Sequence, residues 1–494
     1  MPSESNKQLT KTAKHSMIYG VGMMISSLTG LLMLPIYTRY LTPADYGVIS
    51  LLTIMTDVAA VLIGMRIAQS MFRFYMMSEE EQEKRSVVST ILILTVIAGS
   101  FGVLMMFLFA EGLSQVLFGS TEFTIDVRIF AFTLLANGVV AVGKTYLRAL
   151  QRPYLFVGVS IASLIISVIF NLIFVVYLDM HVRGVVIASL CAAVPIVLYL
   201  LVLLIGRNGL NFSRDMAVRV YKFTIPLIIG SVAGAYIAYA PNYFTRIFDS
   251  LATVGILAVA IRVSGFMSVI ARAVNASWSA DRYVVYKQED ANRTFDSMFR
   301  LFGGLMLVIA ALVSIFAVDL MYFMTTPEFY AAADVVPILA AGMIFGFLKV
   351  YCNFGLHLEA KTRHIAEASY ISAAVTTLAC VFLIPEFQLY GAAAAIAIGK
   401  LVEFYWVNRT SMACYDMQLS WGRFIMMSAM TLAAVVIASL VPVGELMHTG
   451  LRIIIFCALL ATLYILPIWS QDERALMRKF TDRIGITSRL GRPA

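Results

Sequence analysis

Eight ionisable side chains fall inside long apolar runs of the sequence: Asp57, Arg66, Arg262, Arg272, Lys349, Glu367, Lys400 and Glu403. A charge in hydrocarbon is costly and marks a functional site by default. Arg66, Arg262 and Arg272 carry the most chemistry. A guanidinium presents a planar fork of donors that matches phosphate oxygens, and it stays protonated when buried. Together they suggest a cationic chamber for a phosphate-bearing ligand. Structural alternatives stay open for each. Arg66 and Arg272 stand toward one end of their runs, where arginine snorkels to the interface. Arg262 lies too deep for that, and its alternative is an ion pair with Asp57. At 1.5 Å per residue, Asp57 is roughly 18 Å in from Asp45, near mid-membrane. It is the candidate coupling or gating group, because neutralising it would release a paired Arg262.

The remaining charges read more simply. Lys400 and Glu403 are spaced i, i+3 and can neutralise each other on one helix. Lys349 is near a helix end and reads as snorkelling, and Glu367 reaches the interface. Tyr236 and Tyr239, near Pro226 and Pro241, could stack on sugar rings or simply pack. Tyr37, Tyr40, Tyr46, Tyr243 and Phe244 fall where an interfacial aromatic belt is expected. Arg39 and Arg246 close the matched segments Pro35-Ile36-Tyr37-Thr38-Arg39 and Pro241-Asn242-Tyr243-Phe244-Thr245-Arg246, and are candidates for an external gate. No Gly-rich phosphate loop is present, and His15, His181, His357, His364 and His448 are scattered. No metal, no cofactor and no enzyme activity are expected. The five cysteines lack metal-ligand spacing and read as small hydrophobes.

The elements that must hold these residues are legible from composition. The chain has 494 residues, 60% hydrophobic and 13% charged, with a mean hydropathy of +0.85. A soluble chain carries about a quarter charged residues, so a soluble enzyme and a disordered chain are both excluded. Apolar runs bounded by charges give about fourteen spans, starting near residues 16, 45, 86, 124, 154, 184, 216, 252, 297, 333, 363, 389, 422 and 450. Their length favours helices over a barrel. The first reads as a retained helix and not a signal peptide.

Of the 37 Lys and Arg residues, 27 fall on one set of connections and 5 on the other. The basic set is cytoplasmic by the positive-inside rule, and an even number of spans puts both termini there. With that distribution, the net charge of +8 gives no reason to expect nucleic acid as a partner. The external connections, the longest around Glu111–Asp126 and Asp319–Asp334, leave little room for an extramembrane domain.

The chain also repeats itself. Thr38-Arg39 and Thr245-Arg246 are 207 residues apart, as are Asp179 and Glu386, and Gly184 and Gly391. Gly47 and Gly255 follow the two Thr-Arg pairs, and Lys144-Thr145-Tyr146 is echoed by Lys349-Val350-Tyr351. The expectation is an all-α integral membrane protein with two pseudo-symmetric six-helix lobes, 1–207 and 208–415. Two further helices and a basic cytoplasmic tail follow over 416–494. An even number of spans per repeat gives both lobes one orientation, and such lobes facing each other make a transporter architecture.

The stretch from Ile18-Tyr19-Gly20 through Leu34-Pro35-Ile36-Tyr37-Thr38-Arg39-Tyr40-Leu41-Thr42-Pro43-Ala44-Asp45-Tyr46-Gly47 resembles the opening of Wzx-type polysaccharide flippases of the multidrug/oligosaccharidyl-lipid/polysaccharide exporter superfamily. That resemblance implies a two-lobed flippase that moves an undecaprenyl-pyrophosphate-linked oligosaccharide by alternating access. The direction would be from the inner to the outer leaflet of a bacterial inner membrane, for O-antigen or exopolysaccharide assembly. It implies that Arg66, Arg262 and Arg272 hold the diphosphate. The implied partners are the lipid-linked substrate, membrane lipids, and the polysaccharide polymerase and export machinery. The first span carries no charge between His15 and Arg39, unlike the basic first span of lipid II flippases, which argues against a peptidoglycan precursor. An ion-coupled multidrug antiporter of the same superfamily is the alternative. It would favour acidic cavity groups for cationic drugs, and the deep spans here hold at least as many basic ones. A membrane polymerase would need larger external loops.

Overall fold

The computed structural model describes residues 18–20, 22, 24–25, 30–64, 67–361, 363–442 and 446–465. Regular structure among them is helical throughout, and eleven helical stretches are long and apolar enough to cross a membrane. Most begin within a few residues of the expected starts. One stretch of 50 residues, Arg363–Met412, covers two expected spans. The span expected from residue 216 is the helix Arg214–Phe248. The first expected span lies largely outside the described residues. The chain is thus a multi-pass membrane protein, with eleven stretches identified where fourteen spans were expected.

Two compact units can be distinguished. The first takes the described residues up to Arg262, with Met324–Ala332 and Ser369–Gly399. Its helices are α1 (Leu34–Tyr40), α2 (Pro43–Leu62), α3 (Ile67–Met77), α4 (Glu81–Leu108), α5 (Ala110–Phe118), α6 (Thr124–Ala149), α7 (Pro153–Asn171), α8 (His181–Asn208), α9 (Arg214–Phe248) and most of α10 (Leu251–Ser264). A π-helical turn, Leu172–Tyr177, extends α7. Local sequence sets the ends. Thr42 and Asp45 form a reciprocal capping box at the start of α2, with Pro43 in the first turn, where its missing N–H costs nothing. Gly64, at φ 79°, breaks the expected second span into α2 and α3, in a backbone region that other residues avoid.

Helix α6 is central to this unit, burying Val127, Ala131, Leu134, Val139, Val142 and Leu147. By contrast, α4 exposes Ile97, Phe101, Leu104 and Leu108 at helical spacing. Such a stripe suits lipid. Lipid tails are as apolar as the side chains, so within a bilayer close packing and hydrogen bonds bind helices together. Small residues mark those approaches. A Cβ on Gly47 of α2 would strike the carbonyl oxygen of Leu251, and one on Gly255 of α10 would strike that of Pro43. The contact is reciprocal.

The turns repeat as the glycines do. His181 has φ 47° and Gln388, 207 residues later, has φ 46°. A Cβ on Gly184 would press on the carbonyl of Phe174, and one on Gly391 on that of Leu383. Gln388 is the non-helical residue at which Arg363–Met412 folds back, and Ser372 Oγ then donates to the Gly399 carbonyl at 2.6 Å.

The second unit takes Val263–Phe323, Ala333–Ala368 and the described residues from Lys400 onward. It contains α11 (Phe266–Val285), α12 (Ala291–Ile315), α13 (Ala317–Met324, to Phe323), α14 (Ala332–Cys352, from Ala333), α15 (Phe354–Leu358), both ends of α16 (Arg363–Met412), α17 (Trp421–Ser439) and α18 (Leu446–Ile465). Its core is aromatic: Trp278 stacks on Tyr351 at 6.1 Å, and Phe299 meets Trp421 edge-on at 4.9 Å. An ion pair between buried Arg452 and Asp319, 2.8 Å long, ties α18 to α13. Thr449 donates to the same carboxylate at 2.8 Å.

Candidate functional site

In the first unit, α1, α2, α9 and α10 enclose a cavity of about 200 Å³. Tyr37 comes from α1, and Tyr46, Ser50, Thr53 and Asp57 from one face of α2. Tyr239 and Asn242 come from α9, and Ala258, Ile261 and Arg262 from α10. Helical spacing explains the set, because residues three or four apart share a face.

Two of the sequence-predicted residues, Asp57 and Arg262, therefore line one cavity. The Arg262 guanidinium lies 5.7 Å from the centre of the Tyr46 ring, a cation–π arrangement, and donates to the Gly30 carbonyl at 3.3 Å. Gly30 leaves room for it: a Cβ there would sit 3.2 Å from the guanidinium carbon. Asp57 accepts a 2.8 Å hydrogen bond from the Tyr239 hydroxyl. Tyr239 thus faces the carboxylate, while Tyr236, 40% exposed, shares a 2.7 Å hydrogen bond with Thr377.

The other predicted residues lie elsewhere. Arg66 is outside the described residues. Arg272 is on α11 of the second unit, exposed, donating to Ser268 one turn back at 3.2 Å. Arg39 is exposed at the end of α1. Arg246 is half-buried and lies against Gly119, whose φ of 74° ends α5.

Lys349, read from sequence as snorkelling, instead reaches Glu403 at 2.8 Å. Lys400 holds the other oxygen of that carboxylate at 3.5 Å, so two ammonium groups share one buried glutamate in the second unit. A helix-bound i, i+3 pair is thereby a link between α14 and α16. Among the described residues no group of three or more His, Cys, Asp or Glu side chains is placed to hold a metal ion.

Sequence reasoning missed Tyr46 as anything but a belt residue, and Asn242 altogether. Tyr46 is 2% exposed and Asn242 3% exposed. Among the described residues, neither the Tyr46 hydroxyl nor Asn242 Oδ1, both buried, has a hydrogen-bond partner. Tyr37, beside them, does have a partner, donating to Asn171 Oδ1 at 2.8 Å. A signal for Asn242 exists in the repeat, where an offset of 206, one short of the 207 between the Thr-Arg pairs, sets Pro35-Ile36-Tyr37 against Pro241-Asn242-Tyr243. A polar side chain replaces an apolar one inside an otherwise matched segment.

Residues 12–279 match the model of the polysaccharide biosynthesis protein family. None of the curated proteins matches the chain. Among solved structures, the lipid II flippase MurJ in an inward closed conformation is similar over 91% of this chain and 99% of its own, at 14% identity and a TM-score of 0.70. An inward-facing multidrug resistance MATE family transporter of the MOP superfamily is similar over 82% of this chain and 99% of its own, at 15% identity and a TM-score of 0.65. A MOP superfamily transporter from Pyrococcus furiosus, described as having a binding pocket of reverse polarity, matches over 83% and 96% at 16% identity, with a TM-score of 0.55. The chain therefore shares the fold of these solved structures.

Proposed function

The chain belongs to the polysaccharide biosynthesis protein family, and from that premise we propose that it is a flippase for lipid-linked oligosaccharide. It would carry undecaprenyl-diphosphate-linked repeat units from the cytoplasmic to the outer leaflet of a bacterial inner membrane, both of its termini being cytoplasmic. The product would feed surface polysaccharide assembly. The supporting observation is the cavity among four helices that Arg262 and Asp57 both line. Arg262 is the cation for the diphosphate: its fork suits phosphate oxygens, and its present acceptor, the Gly30 carbonyl, is uncharged, so an anionic phosphate oxygen can take its place. Asp57 is the coupling group, positioned by Tyr239.

The test is mass spectrometry of lipid extracts from cells lacking the protein, complemented with the parent gene or with Arg262→Ala. Cells without the protein accumulate undecaprenyl-diphosphate oligosaccharide in the cytoplasmic leaflet, and the parent gene clears it. Hydrogen bonds to charged groups contribute about 1.5–3 kcal/mol, so Arg262→Ala lowers clearance about tenfold to a hundredfold. An unchanged lipid pool with normal polysaccharide export overturns the reading.

A further inference from the structure

The second unit contains a cavity of about 470 Å³ between α12, α14, the later end of α16, and α17. It is long and narrow. Its wall runs from Pro337 to Leu348 on α14 and from Trp421 to Val435 on α17, roughly 17 Å and 21 Å at 1.5 Å per residue. The side chains that line it are apolar except for Ser314, Ser428, Thr431 and the amphipathic Trp421. Ser428 and Thr431 donate to carbonyls of their own helix, those of Phe424 and Met427, each at 2.9 Å. Water finds few partners in such a wall, and apolar cavities stay dry. Ile425 and Leu432 line the cavity and are exposed, so it opens sideways along α17 toward the bilayer.

The dimensions select what enters. A methylene group takes about the volume of one water, roughly 30 Å³, so the cavity holds about sixteen of them. An extended alkyl chain advances about 1.3 Å per carbon, so the wall is about thirteen to sixteen carbons long. Volume and length agree on a single unbranched chain of fatty-acyl size. A polyprenyl tail carries a methyl branch in every isoprene unit and is too wide for a channel that one extended chain fills.

Charge complementarity supplies the head. Phe404 meets Trp421 at 5.8 Å and stacks on Phe345 at 6.1 Å, so these rings gather at one end of the channel. Lys349 stands one turn from Phe345 on α14, and Lys400 one turn from Phe404 on α16. Their two ammonium groups share the carboxylate of Glu403, at 2.8 Å and 3.5 Å, so the three groups together are cationic. Basic groups between transmembrane helices near an interface bind lipid phosphates. Trp421, the first residue of α17, is a ring of the type that marks that level.

We propose that this channel is the binding site of an anionic membrane phospholipid, with one acyl chain along α14 and α17 and the phosphate at Lys349 and Lys400. The lipid fills a space that the side chains leave and joins α17 to α12, α14 and α16. The assignment goes beyond the flippase reading and does not depend on what is transported.

The test uses the full chain in lipid nanodiscs and two photoactivatable probes, a phosphatidylglycerol and a phosphatidylcholine, each with a diazirine near the end of a sixteen-carbon chain. Peptide mapping by mass spectrometry reads the labelled residues. The phosphatidylglycerol probe is expected to label the far end of the channel, around Ser314, Pro337 and Val435. It should do so about fivefold more than the phosphatidylcholine probe, the size of one basic group's attraction for an anionic lipid. Ala341→Phe and Ser428→Leu fill the channel from two different helices, and each should lower that labelling about tenfold while the protein keeps a cooperative thermal transition. Lys349→Gln removes the surplus charge and should equalise the two probes while leaving the chain labelled. Unlabelled phosphatidylglycerol should displace the label, and undecaprenyl phosphate should not. Unchanged labelling in both filled variants, equal labelling by the two probes in the parent, or displacement by undecaprenyl phosphate alone overturns the site.

Discussion

Asp57 and Tyr239 show how a residue's role depends on what it faces. From sequence, Asp57 was a candidate switch on account of its depth, and Tyr239 a candidate sugar contact on account of its ring. The 2.8 Å hydrogen bond between them makes the tyrosine a positioning group for the carboxylate. Asp57→Asn is expected to abolish the coupling of transport to an imposed ion gradient in proteoliposomes. Normal coupling in that variant removes Asp57 from the role. Tyr239→Phe leaves the carboxylate but takes away one bond to it, about 1.5–3 kcal/mol for a charged acceptor, and should lower transport by less than Asp57→Asn. Gly30 offers a quieter test. A valine there extends further than the Cβ that would already stand 3.2 Å from Arg262, so Gly30→Val should reproduce part of the Arg262→Ala defect without touching a charge. Intramembrane arginine and aspartate were legible because charge in an apolar run is conspicuous. Asn242 was not, because a single amide is unremarkable until its neighbours leave it without a partner.

Among the elements, helices were legible and their breaks only in part. Apolar runs bounded by charges put a new span near residue 389, beside the fold-back at Gln388, but the division of the second span at Gly64 depends on a backbone angle that composition does not report. The paired glycines lie between these cases. Their spacing of about 207 residues was visible, and the structure supplies the physical reason: each stands where a helix meets a carbonyl and no Cβ fits. Gly47 and Gly255 make this explicit, since the two helices approach through the glycines themselves. Gly47→Ala or Gly255→Ala must push α2 and α10 apart, at a cost of about 1–3 kcal/mol for overpacking. Hydrogen exchange checks it: amides of residues 44–50 and 251–258 should exchange faster in either variant. Unaltered exchange would mean that the approach is looser than it looks. Lys349 shows a different limit. Its position near a helix end favoured snorkelling, yet the carboxylate of Glu403 on another helix was the stronger attraction.

For the whole molecule, the uneven placement of lysine and arginine leads to an orientation that can be measured directly. In a variant without its five cysteines, a cysteine at Ser120 should react with a membrane-impermeant maleimide on intact cells. One at Glu80 should react only after permeabilisation. The reverse pattern would turn the proposed topology over. Stability has its own asymmetry. Two lysines hold one buried glutamate, at 2.8 Å and 3.5 Å. Removing that glutamate leaves ammonium groups facing each other, and breaking a buried pair in this way costs about 3–5 kcal/mol. Glu403→Leu should therefore lower the melting temperature sharply, whereas Lys400→Met should lower it by less than half as much. The arrangement has the logic of redundancy. Either lysine can drift in sequence while the other stands in for it, and the glutamate has no understudy. Mutational tolerance in this unit should accordingly be one-sided, permissive at Lys349 or Lys400 taken singly and closed at Glu403.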